Sequence, residues 1–245
     1  MIPSSSFISI PKIDEYTVYA RILPVLLVIL PGALAALAWF PEAKTWWGAV
    51  SGLLVGCGLA VLLAQLGRDA GKRKEAGLYE SWGGKPTTRL LRHRDAVNKV
   101  QLLRRHRKLQ ELVAGVQIPS EQEEAADPRG ADDAYDACVG VLREKTRDRT
   151  RFPILYDELS SYGFRRNLWG MKPLGVTLVL AAGIAIAVLI VLRVREAAPL
   201  FPMTIVAAAG DVILLALWMF WITPSWVRTP AEGYAEQLLA SMENL

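Results

Sequence analysis

The chain has 245 residues, of which 52% are hydrophobic and only 21% charged, with 28 Lys/Arg against 24 Asp/Glu. That balance argues against an ordinary soluble domain of this length. Its two cysteines, Cys57 and Cys138, supply no disulfide framework and fit a reducing compartment.

Met1 to Ala20 holds a mildly amphipathic stretch with Phe7, Ile8, Ile10 and Ile13, broken by Pro3 and Pro11. It is expected on a membrane surface, against the polar domain, or as an irregular lead-in. No short apolar core with a cleavage site precedes the first long apolar run, so that run is expected to stay attached. Ile22 to Phe40 carries no charge and, at about 1.5 Å per residue, reaches roughly the 30 Å of a hydrocarbon core. Pro41 to Lys44 is short enough for a tight hairpin, with Trp39, Trp46 and Trp47 around it as an interfacial belt. Thr45 to Gly67 then reads as a second span. Along it Gly48, Gly52, Gly56, Ala60 and Ala64 recur every four residues, a ridge that lets another helix approach closely.

Beyond Gly67 the composition changes. Arg68 to Lys172 contains 22 of the Lys/Arg and 16 of the Asp/Glu, and within it Arg68 to Lys108 has 13 basic and 4 acidic residues, a net of +9. Arg68, Lys72, Arg73 and Lys74 at one end, with Arg165, Arg166 and Lys172 at the other, predict a cytosolic segment, since the opposite side offers only Lys44, Arg193 and Arg195. The pattern predicts a helix running on to about Tyr79, a Gly83-Gly84-Lys85-Pro86 turn, and a basic helix from about Thr88 to Leu112 with Ala96, Val100 and Leu103 on its buried face. Ser120 to Gly130 reads as an exposed acidic loop. Asp132 or Asp133 is expected to cap a helix burying Tyr135, Val139 and Leu142, and Pro153 to start a short one.

Pro173 to Leu192 is a third uncharged span, and Leu200 to Ile222 a fourth, interrupted by Asp211 roughly 15 Å deep. A short amphipathic tail follows from Arg228 through Leu238, Leu239 and Met242. The expected architecture is an all-α membrane protein with two transmembrane hairpins, over 22–67 and 173–227, flanking a helical cytosolic domain over 68–172. Residues 1–21 and 228–245 are placed on the cytosolic side with it.

Two places carry chemistry. A carboxylate at mid-bilayer costs several kcal/mol unless it faces water or a partner; Asp211 is therefore expected to line a pore, where a ring of acids favours cations, or to stay protonated on Thr204, Thr177 or a backbone carbonyl. The stretch from Trp82 to Lys108 offers turn amides, Lys85, the Thr87 and Thr88 hydroxyls, Arg89, Arg92, Arg94, Arg104 and Arg105, and an indole at Trp82 for stacking on a base. These residues are the expected phosphate or oligonucleotide site, against the alternatives of a solvated cationic face or one held by inner-leaflet lipid.

Several enzyme patterns fail. Tyr79 stands where a phosphate-binding loop needs glycine, and Pro86 follows Lys85. His93-Arg94-Asp95 imitates a kinase catalytic loop, but Val100 replaces its asparagine. His93 and His106 lack companion zinc ligands, and neither Cys138 nor Ser160 and Ser161 has a histidine partner at interpretable spacing. No catalytic residue, metal or cofactor is expected.

The segments Glu80-Ser-Trp-Gly-Gly-Lys-Pro-Thr-Thr-Arg-Leu-Leu-Arg-His93 and Ser161-Tyr-Gly-Phe-Arg-Arg-Asn-Leu-Trp-Gly-Met-Lys-Pro173 resemble a family of bacterial four-span membrane proteins, the channel effectors of the Hailong anti-phage system. The resemblance implies a homo-oligomeric channel of the inner membrane, held closed by a bound oligonucleotide, and a nucleotidyltransferase partner that makes this signal. It also implies that Tyr162 to Lys172 couples the ligand site to the third span. The alternative is a non-conducting scaffold whose basic domain binds anionic lipid or recruits a protein.

Overall fold

The computed structural model describes residues 15–40 and 46–245, with the backbone alone over 46–59. The amphipathic start, the Pro41 to Lys44 link and the packing of Gly48, Gly52 and Gly56 lie outside the described residues. Every described element is helical.

Helix α1, Glu15–Trp39, contains a π-helical turn at Val18–Ile22. Helix α2, Trp46–Ser81, runs 36 residues unbroken from the second apolar run into the cationic one. Four helices of the polar segment follow: α3 Pro86–Arg89, α4 Lys99–Leu112, α5 Glu121–Ala126 and α6 Pro128–Lys145. Then come α7 Pro153–Gly170, α8 Lys172–Arg195, α9 Pro202–Trp221 and α10 Pro224–Ala240. Prolines 86, 128, 153, 202 and 224 open helices at positions where a missing N–H has no intrahelical partner to lose.

Helices α1, α8 and α9, of 25, 24 and 20 residues, are long and apolar enough to cross a membrane. They pack together: Val25 and Val28 meet Val179, Leu214 and Trp218, and Ala35 and Ala38 meet Ala182, Ile186 and Ala207. Ala60 and Ala64, the described end of the small-residue ridge, lie buried in the same cluster as Val25 and Val28. The polar bundle has its own core, in which Leu91, Leu109, Tyr135, Leu142 and Leu155 surround Leu238, Leu239 and Met242.

Four sequence expectations change. The continuous basic helix from Thr88 to Leu112 is two pieces, because the N–H groups of His93 and Arg94 bond the Glu124 carboxylate (2.7 and 3.1 Å) instead of a helical carbonyl. Asn98 restarts the helix by accepting from the Gln101 N–H. Its buried face is then Leu102, His106 and Leu109, leaving Val100 and Leu103 79% and 57% exposed. The acidic loop at Ser120 to Gly130 is a helix with a Ser120/Glu123 capping box, and Glu124 in it is only 2% exposed. Asp127, not Asp132 or Asp133, caps α6 by accepting from the Gly130 N–H. The short helix at Pro153 extends for 18 residues to Gly170, since its Tyr162 to Gly170 half packs on α2.

Candidate ligand site

The site grows from a helix pair in backbone contact. A Cβ on Gly170 would lie 2.4 Å from the Gly71 nitrogen, so α2 and α7 touch there without side chains between them. One helical turn further, i,i+4 spacing places Glu75 and Tyr79 on one face of α2 and Tyr162 and Arg166 on the facing side of α7. Glu75 Oε1 accepts from Tyr162 Oη at 2.5 Å, from Tyr79 Oη at 3.0 Å and from Arg166 Nη1 at 3.0 Å. Next to Arg166, Asn167 Nδ2 donates to the Ala20 carbonyl of α1 at 2.8 Å, which ties the network to the first apolar helix.

Burial alone would raise the Glu75 carboxyl, yet the Tyr162 hydrogen bond and the Arg166 charge outweigh it and hold it below the usual carboxylate range. Burial, and then the Glu75 charge, push the Tyr79 phenol up to about 12. Glu75 is therefore a carboxylate and both phenols are donors at neutral pH.

Above this network opens a cavity of about 560 Å³, within the size range of small-molecule sites. Glu75, Tyr79, Tyr162 and Arg166 form one wall; Lys85 and Thr87 from the glycine turn, Arg143 and Arg147 from the end of α6, Tyr156 and Tyr234 complete it. Four of the chain's seven tyrosines thus meet around four cations. Lys85 pairs with Asp136, Arg147 with Glu144 and Arg166 with Glu75, whereas Arg143 has no carboxylate within ion-pair distance among the described residues. Phenols and a guanidinium without a counter-ion suit a ligand that joins an aromatic or sugar surface to an anion.

Of the residues expected to bind phosphate or an oligonucleotide, Lys85 and Thr87 line this cavity and the others lie elsewhere. Trp82 is 6% exposed, packed with Leu78, Tyr162, Val227 and Ala231. The Thr88 hydroxyl donates to Asp136. Arg92 makes a bidentate pair with Asp132 (2.8 and 2.6 Å) and donates to the Gly83 carbonyl. A side chain at Gly84, whose φ is +130°, would strike that guanidinium, so the glycine turn is shaped around Arg92. Arg94 bridges Glu124 and Asp132, Arg104 pairs with Glu243, Arg89 lies 3.8 Å from both Asp95 and Glu232, and Arg105 donates to the Leu90 carbonyl. The acids of α5 and α6, distant in sequence, thus neutralise much of the basic run. His106 stacks on Tyr135 and donates Nε2–H to the Leu91 carbonyl, with its imidazole held below its ordinary pKa by burial. The phenols and Arg143 escaped the sequence reading because they come from four separate helices; only the local pairing of Tyr162 with Arg166 hinted at them.

Asp211 is 7% exposed within the chain. A Cβ on Gly183 of α8 would meet its Oδ2 at 2.7 Å, and its Oδ1 has no hydrogen-bond partner. The Thr177 hydroxyl donates to the Pro173 carbonyl. No group of three or more His, Cys, Asp or Glu suited to a metal occurs among the described residues. No family model, curated protein or solved structure matches the chain.

Proposed function

We propose that this protein is a ligand-gated, cation-permeable channel of the bacterial inner membrane, a homo-oligomer of four-span subunits with both termini in the cytosol. It acts as an anti-phage effector rather than an enzyme, and its signal is a nucleotide or short oligonucleotide supplied by a nucleotidyltransferase. The reading rests on one observation: the cavity wall of Glu75, Tyr79, Tyr162 and Arg166 is built on α2 and α7, the two helices that continue into apolar runs, and is tied to α1 through Asn167. A ligand that rearranges the Glu75 network therefore acts on helices that reach the bilayer. Within this reading the second span is the start of α2, and phosphate is held by Arg143, Lys85 and Arg147 while a base stacks on a phenol.

The enclosure of Asp211 between α8 and α9 favours a second reading, a non-conducting membrane scaffold. Both readings are tested with detergent-purified protein, a fluorescein-labelled short oligodeoxynucleotide and cation flux from proteoliposomes. Channel function predicts saturable binding, flux that changes with the oligonucleotide, and an affinity reduced about ten- to hundredfold in Arg143→Gln, the loss expected for a charge-assisted hydrogen bond. Binding that Arg143→Gln leaves unchanged removes the cavity as the site, and absent flux leaves the scaffold.

A further inference from the structure

At the junction of α7 and α8, two lysines converge on one indole. Lys74 Nζ lies 5.2 Å from the Trp169 ring centroid and Lys172 Nζ 5.4 Å from it. Each ammonium also donates to a backbone carbonyl, Lys74 to Trp169 at 3.3 Å and Lys172 to Ile222 at 2.8 Å. Neither has a carboxylate within ion-pair distance among the described residues, nor do Arg68, Lys72, Arg73 or Arg165 nearby in the chain, whereas the cations deeper in the polar bundle are largely paired with acids. Two like charges gathered without a counter-ion repel each other. The Lys74 ammonium is accordingly lowered below its ordinary pKa, by burial first and then by Lys172.

The location limits what supplies the missing charge. Lys172 is the first residue of the apolar helix α8, and two to three turns back along α2 from Lys74 the side chains of Leu66 and Leu62 are exposed. Cations at the mouth of an apolar helix, an indole at the same level and exposed leucines below match the cross-section of a phospholipid, with phosphate outermost and acyl chain beneath. We propose that Lys74 and Lys172, which both approach Trp169, form a site for a phosphodiester, supplied by the headgroup of an anionic phospholipid. The bound phosphate bridges α2 to the start of α8 and replaces the repulsion between the two ammonium groups with attraction to a shared anion. This site is separate from the cavity beside Glu75 and stands whether or not the protein conducts ions.

The test is native mass spectrometry of the detergent-purified full chain titrated with phosphatidylglycerol, with phosphatidylcholine, and with glycerol 3-phosphate as a soluble phosphate. The wild type is expected to retain phosphatidylglycerol in preference to phosphatidylcholine. Lys74→Gln with Lys172→Gln should lower that preference roughly fivefold for each lysine removed. Lys74→Arg with Lys172→Arg should restore it. Lys99→Gln, which removes an exposed lysine paired with Glu121, should leave it unchanged. Helical circular dichroism and the elution volume of each variant check that it is folded. Equal retention of the two lipids by the wild type, or a preference that survives the double glutamine variant, overturns the site. Glycerol 3-phosphate binding as tightly as the lipid overturns the lipid as its source.

Discussion

Glu75 Oε1 takes hydrogen bonds from Tyr162, Tyr79 and Arg166 at once, so a single oxygen holds α2 against α7. Its carboxyl titrates below the ordinary value of 4.5 in the folded protein. A lowered folded-state pKa means stability that is complete above pH 4.5 and is lost as pH falls below it, through the lowered value. Tyr162→Phe removes the largest of the interactions that oppose burial. It should shift the acid loss of stability upward, toward pH 4.5, and lower neutral-pH stability by about 1 kcal/mol. Unfolding in detergent followed against pH, with Glu75→Gln as reference, measures this; a Tyr162→Phe profile identical to wild type would show that the phenol bond contributes nothing. Arg92 teaches a related lesson. It was legible as a cation, but its role as the strut of the glycine turn was not, because Asp132 lies forty residues away.

At the scale of helices, the contact between Gly71 and Gly170 decides how α2 and α7 meet. Gly170→Ala forces a methyl group to within 2.4 Å of a backbone nitrogen and should destabilise the protein by about 1–3 kcal/mol, as overpacking does. Gly77→Ala, on an exposed face of α2 with nothing near the added carbon, should stabilise it by about 0.5–1 kcal/mol. Thermal unfolding of the pair is the measurement, and shifts of the same sign would refute the close approach. Much of this level was readable. The apolar runs that became α1, α8 and α9 are visible as such, and Tyr135, Val139 and Leu142 already mark the buried face of α6 at helical spacing. The Thr88 to Leu112 stretch was misread because helical propensity is a local quantity, and the Glu124 carboxylate that captures the His93 and Arg94 amides arrives from another element. The candidate cavity was half legible at most, with Lys85 and Thr87 found and Arg143, Tyr156 and Tyr234 missed.

For the whole molecule, the last residues are structural. Leu238, Leu239 and Met242 lie in the core with Leu91, Leu142 and Leu155, and at about 1.5–3 kcal/mol for each buried side chain their removal approaches the entire stability of a typical domain. Deleting 232–245 should therefore make the polar bundle sensitive to limited proteolysis while membrane fractions still contain the chain; a protease-resistant 68–172 core would contradict this. From sequence these residues read as a short amphipathic tail, with no sign of a role in the core, since their partners on α6 and α7 lie roughly a hundred positions earlier. Helix α2 has a different reach. It contains no proline over its 36 residues, and at about 1.5 Å per residue it is a shaft of roughly 54 Å. Hydrogen-bonded turns resist compression along such a shaft, so a small twist or push at Tyr79 is delivered to its far end nearly undiminished. Under the proposed function, a movement at the cavity would travel along this one helix with no loop in between.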